Sequence, residues 1–138
     1  MQTLLSSVLL LLVAAAHGIV QIPLRTLKNV EGVQFYGYVA AGTPGQTIPV
    51  LFDTGSYETW FPTSSYCSSV APCTSPGFRP SSSSTFQQTS EPFQVNYLSS
   101  AVSGVFGQDN VSFGNLSTNS IINIGDSDGG RLMAHPCL

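Results

Sequence analysis

Charge is what this sequence lacks most. Asp, Glu, Lys and Arg make up 8% of 138 residues, against about 25% in an ordinary soluble domain. So few charges exclude coiled coils and long solvent-facing helices, and four Lys and Arg cannot form the basic surface that nucleic acid requires. The net charge of −3 disfavours a strongly acidic partner. Long apolar runs are missing too. The run Val8–Ala16 is nine residues long, short of the roughly 18 to 20 that cross a bilayer. No segment holds a helical period over several turns, and nothing repeats. What is present is 42% apolar and 10% aromatic residues among 13 Gly, 9 Pro and many Ser. That mixture excludes a disordered chain and predicts an all-β protein.

The first eighteen residues read as an address rather than as fold. Residues 1–18 end in Ala16-His17-Gly18, with small residues at the two positions a signal peptidase inspects. Every charged side chain lies after Gly18, and Met1-Gln2-Thr3 supplies only the amino terminus as positive charge. The expectation is a secretory chain that is free of the membrane once the signal is removed, bound for the exterior or for a lysosome or vacuole. An oxidising compartment lets disulfides persist. Cys67 and Cys73 flank a short loop and can close on each other, which contributes about 2 kcal/mol by loop entropy. Cys137 is left over. Their spacing is too wide for a C-x2-C metal pair and no His is near, so no metal is expected. Asn110-Val111-Ser112 and Asn115-Leu116-Ser117 are glycosylation sequons.

Along the mature part, Val33–Ala40 reads as a strand and Gly42-Thr43-Pro44-Gly45 as a turn. Thr47–Phe52 reads as the returning strand of a hairpin. Phe61–Pro76 reads as irregular, and Ser81–Ser84 as a loop or one helical turn. Phe93–Tyr97 and Val102–Phe106 read as a second hairpin around a Leu98–Ala101 tip, and Val111–Phe113 as the start of a further strand. From about Ile121 the pattern breaks up, and residues 121–138 read as an atypical tail outside the fold.

One carboxylate stands out. Val50-Leu51-Phe52 runs directly into Asp53-Thr54-Gly55-Ser56. Such a tetrapeptide also closes ordinary turns, with Asp bonding its own backbone. A carboxylate tucked beside Leu and Phe is costly unless it is hydrogen-bonded or shares a proton. The Thr54 and Ser56 hydroxyls and the Gly55 amide are the nearby donors. Glu58 and Asp109 read as structural or solvated charges. His17 and His135 lie in the leader and the tail, so a Ser–His–Asp arrangement has no base.

Phe52-Asp53-Thr54-Gly55-Ser56, followed by Trp60, Pro62 and Cys67, resembles the pepsin and cathepsin D family of aspartic proteases. Gln34-Phe35-Tyr36-Gly37, with Gly42-Thr43-Pro44 and Gln46, is similar to that family's opening strand and turn. Phe78, Pro80 and Ser83-Ser84-Thr85-Phe86 resemble the segment after its first disulfide loop. Tyr97, Ser103-Gly104, Gly107 and Asp109 resemble its flap hairpin and the strand beyond. Ile19–Leu24 is similar to the start of its propeptide. The likeness covers about Ile19 to Leu116.

The resemblance implies a pepsin-like lobe of the six-stranded sandwich or barrel type with a flap hairpin, present here in truncated form. Residues 19–32 would be a propeptide remnant and 33–120 the N-terminal lobe. It implies an aspartic endopeptidase without cofactor, acting on peptides or proteins. Asp53 would be the catalytic carboxylate, supported by Thr54, Gly55, Ser56 and Trp60. Tyr97 and Ser99 would sit on the flap over the substrate. The family's mechanism pairs two carboxylates that share a proton. This chain carries one such motif: Asp126-Ser127-Asp128-Gly129 has Asp where Gly is needed. The chain alone is therefore expected to be inactive, needing a missing C-terminal lobe or a second copy. Two alternatives stand beside this: a non-catalytic secreted peptide-binding lobe, and a homodimeric enzyme of the retroviral-protease type.

Overall fold

Period-2 alternation decides which side chains enter the core. The computed structural model describes residues 20–29, 32–56, 58–69, 75–97 and 101–128. The expected signal peptide, Cys73, Ser99, Cys137 and the chain from 129 onward lie outside the described residues. Strand β2 (Gly32–Ala41) buries Val39 and Ala41 and exposes Tyr38 between Gly37 and Val39, as a half-covered strand must. β3 (Gln46–Leu51) returns antiparallel through the Gly42–Gly45 turn, with Ala41 opposite Gln46. The Thr43–Pro44 peptide in that turn is cis.

The strands among the described residues belong to one seven-stranded sheet. β1 (Arg25–Asn29) pairs with the first half of β2. The residues resembling a propeptide thus include a strand of the sheet. β5 (Gln87–Asn96) and β6 (Ala101–Phe113) form the second hairpin, longer at both ends than the sequence suggested. β6 also meets β2 at Ser112 and Val111. Val111–Phe113 is therefore the end of β6 rather than the start of a new strand. The next strand, β7 (Leu116–Asp128), follows after a two-residue turn.

β7 corrects the expected tail boundary. Residues 121–128 continue the strand, paired antiparallel with β6 as far as Val102 opposite Asp128. On its other side β7 runs parallel to β4 (Trp60–Pro62), with Phe61 opposite Ile124. Ile122 and Ile124 are core residues, 1% and 2% exposed. Polar and Gly residues interrupt this strand, which hid it in the sequence; two paired neighbours make it central. Gly104 explains one tight spot. A Cβ there would stand 1.8 Å from the Ile124 carbonyl oxygen, beside the register shift between Ser103 and Gly104, so only glycine allows the strands to close.

Within the stretch read as irregular, residues 61–62 and 64–69 form regular elements. After β4 comes a short helix, α1 (Ser64–Ser69). The Thr63 hydroxyl accepts the Tyr66 amide at 3.1 Å, an N-cap bond that satisfies a donor the helix leaves open. The Ser-rich stretch does form one helical turn, a 3-10 turn at Pro80–Ser82. The core gathers Val39, Ala41, Ile48, Phe61, Phe78, Val111, Ile122 and Ile124. Phe78 sits between Phe61 (6.2 Å between ring centroids) and Phe86 (5.7 Å). Burying each such ring stabilises the fold by about 1.5–3 kcal/mol.

Candidate active site

The end of β3 aims one loop out of the sheet. Phe52 still donates its amide to the Phe35 carbonyl at 2.9 Å, and the next residue, Asp53, leaves the ladder. The loop then folds back on the carboxylate. The Gly55 amide donates to Asp53 Oδ1 at 2.9 Å, and the Ser56 hydroxyl donates to Oδ2 at 2.5 Å. Each carboxylate oxygen thus has its own donor. Hydrogen bonds to the charged form favour that form. The Ser56 bond, then the Gly55 bond, hold the Asp53 carboxyl below its ordinary value, against a small opposing effect of burial.

The expectation of a carboxylate tucked among apolar side chains is not met in this chain: Asp53, Thr54, Gly55 and Ser56 are all exposed. Leu51 and Phe52 are half-buried, so the apolar run ends at the surface. Its two hydrogen bonds are those of a pre-set loop, and water solvates the rest of the carboxylate.

A second group forms around the β5–β6 hairpin. Trp60 Nε1 donates to the Tyr97 hydroxyl at 2.8 Å, tying β4 to the residue that follows β5. Both side chains are half-buried. An indole N–H and a phenol that are partly buried commonly meet such a partner. Cys67, buried in α1, is disulfide-bonded.

Of the two charges that the sequence marks as structural or solvated, Asp109 is structural. Asp109 is fully buried. Its Oδ1 accepts the Thr85 hydroxyl at 2.6 Å and the Asn110 amide at 2.8 Å. The Thr43 hydroxyl, 2.8 Å away, in turn donates to the Thr85 oxygen, so the cluster clamps the Gly42–Gly45 turn to β6. The signal was available in the sequence: Asp109 shares the inward register of Gly107 and Val111. Among the described residues no three His, Cys, Asp or Glu side chains gather where a metal ion could sit.

An all-β sheet with an Asp-Thr-Gly-Ser loop at a strand end and a hairpin tied to a tryptophan defines a class. The sequence pattern of eukaryotic aspartyl proteases matches residues 34–131, and the chain belongs to that family. Within it, the chain is similar to pepsins and corresponds to a pepsin-like N-terminal region. It is 40% identical to Pepsin-3 of Oryctolagus cuniculus over 113 residues, which is 81% of this chain and 29% of that protein. It is 37% identical to Pepsin A of Sus scrofa over 108 residues, 78% of this chain and 28% of that protein. The chain therefore spans less than a third of the length of these relatives.

Proposed function

We propose that this chain is the N-terminal lobe of an aspartic endopeptidase, with Asp53 as one half of a water-activating pair. The observation that carries this reading is the Asp53 loop, whose two donors favour the ionised carboxylate, in a chain matched to the family over residues 34–131. In such a pair the ionised carboxylate takes a proton from water while the water oxygen attacks the scissile carbonyl carbon. The protonated partner hydrogen-bonds the carbonyl oxygen and stabilises the charge that develops there. The lowered Asp53 suits the base role; the second carboxyl must come from another lobe or another copy. Thr54, Gly55 and Ser56 hold the loop. Trp60 steadies Tyr97, and Tyr97 with Ser99 would cover a bound peptide.

Alone, this lobe is inactive in our reading. The homodimer is the second reading, favoured by one observation: Asp53 stands exposed, where a symmetry mate could reach it. We also propose entry into the secretory pathway and a Cys67–Cys73 bridge. No helix of the described residues is long and apolar enough to cross a membrane.

Sedimentation combined with cleavage of a peptide library at acid pH, using Asp53→Asn as control, tests these proposals. A monomer without cleavage supports the single-lobe reading. A dimer whose cleavage disappears in Asp53→Asn supports the homodimer. Cleavage that survives Asp53→Asn removes Asp53 from the chemistry.

A further inference from the structure

The two sequons lie five residues apart in sequence, and the fold gives them opposite surroundings. Asn110-Val111-Ser112 is inside the paired part of β6. Asn110 is half-buried and Val111 is 1% exposed. The Asn110 side chain is held from both sides: its Nδ2 donates to the Thr43 hydroxyl at 3.2 Å, and its Oδ1 accepts from Asn119 Nδ2 at 3.3 Å. A sugar on that nitrogen would have to occupy the space where Thr43 lies and would pry the Gly42–Gly45 turn off β6. Asn115-Leu116-Ser117 is exposed in all three residues. Asn115 is the second residue of the β6–β7 turn, between the Phe113–Leu116 pair. Gly114 takes φ +56 there, which lets the chain reverse in two residues and turns Asn115 away from the sheet.

We propose that Asn115, and not Asn110, carries an N-linked oligosaccharide in the folded protein. The reaction joins the Asn115 Nδ2 to the anomeric carbon of a lipid-diphosphate-linked oligosaccharide. The bond from that carbon to the diphosphate oxygen breaks, the lipid diphosphate leaves, and the amide gives up one proton. No oxidant or reductant takes part. The consequence is a bulky polar cap at one end of the long β6–β7 hairpin, beside Leu116, which is 52% exposed. A glycan there would shield this apolar surface from self-association.

This proposal rests on the secretory reading, and the experiment separates the two. The full chain is translated with endoplasmic-reticulum microsomes, treated with external protease, and then with a glycosidase that leaves Asp in place of a glycan-bearing Asn. The expected result is a protected chain with a single glycosidase-sensitive gel shift. The shift should persist in Ser112→Ala and vanish in Ser117→Ala, and mass spectrometry should place the new Asp at position 115 of the unsubstituted chain. Conversion at position 110, conversion at both positions, or a protected chain without a shift overturns the proposal while leaving secretion intact. A chain that the protease destroys overturns both. The mass-spectrometric readout needs no variant, so folding of the variants does not decide the outcome.

Discussion

Asp53 shows how two neighbouring donors, one backbone and one side-chain, can set the chemistry of one carboxylate without burying it. Its two donors are local, so the effect survives at a surface where longer-range charges are screened. Because the folded carboxyl lies below its ordinary value, its hydrogen bonds stabilise the native state above the unfolded value. That contribution fades as the pH falls through the lower, folded value. Ser56→Ala removes the larger of the two causes. The Asp53 titration midpoint, followed by carboxyl carbon NMR, should move upward toward the ordinary carboxylate value; an unchanged midpoint would remove Ser56 from that role. At Tyr97 the corresponding experiment is Tyr97→Phe, which leaves the Trp60 N–H without its phenol partner. The cost should be about 0.5–1.5 kcal/mol in urea unfolding, accompanied by a change in the environment of the single tryptophan read by fluorescence.

At the scale of the element, β7 decides the most. It is the strand that joins the β5–β6 hairpin to β4 and hence Tyr97 to Trp60. Its inward residues should behave as core. Ile124→Ala is expected to destabilise by about 2–5 kcal/mol through lost burial and a cavity. Ile121→Ala, at a position 67% exposed, should stay within about 0.5 kcal/mol. Equal effects at the two positions would contradict the strand register. The Asp109 cluster is the polar counterpart. Asp109→Ala leaves the Asn110 amide without its acceptor and the Thr85 hydroxyl with Thr43 as a remaining neighbour, and an unpaired donor away from water costs about 1–3 kcal/mol. Thermal unfolding should show the loss, and hydrogen exchange should place it at the Gly42–Gly45 turn and the facing end of β6.

For the whole molecule, one sheet holds two groups of candidate site residues on separate supports. The Asp53 loop leaves β3, and the Trp60–Tyr97 pair spans β4 and the end of β5. Directly after β4 in the chain, helix α1 carries the disulfide-bonded Cys67. Opening that bond with a thiol reductant should lower the unfolding free energy by about 2 kcal/mol if the closed loop is the short one to Cys73. A much larger loss would indicate a longer loop and a different partner.

The sequence by itself determined the features whose causes are local. The Gly42–Gly45 turn, the two hairpins and the all-β class follow from turn residues and period-2 alternation, which act within a few residues. The Asp53–Ser56 loop was legible for the same reason, since its donors sit two and three positions from the acceptor. Only the tertiary structure decided the rest. Ile122 and Ile124 become core because β4 and β6 lie on either side of β7. Phe61 and Ile124 are far apart in sequence, and no local pattern announces a parallel pairing. Thr63 starts a helix too short to show a period. Asp109 shares the inward register that the sequence shows, but its hydroxyl partner Thr85 comes from a separate segment that only the fold brings to it. The exposure of Asp53 likewise depends on what surrounds the loop in space, and a motif of four residues carries no information about that.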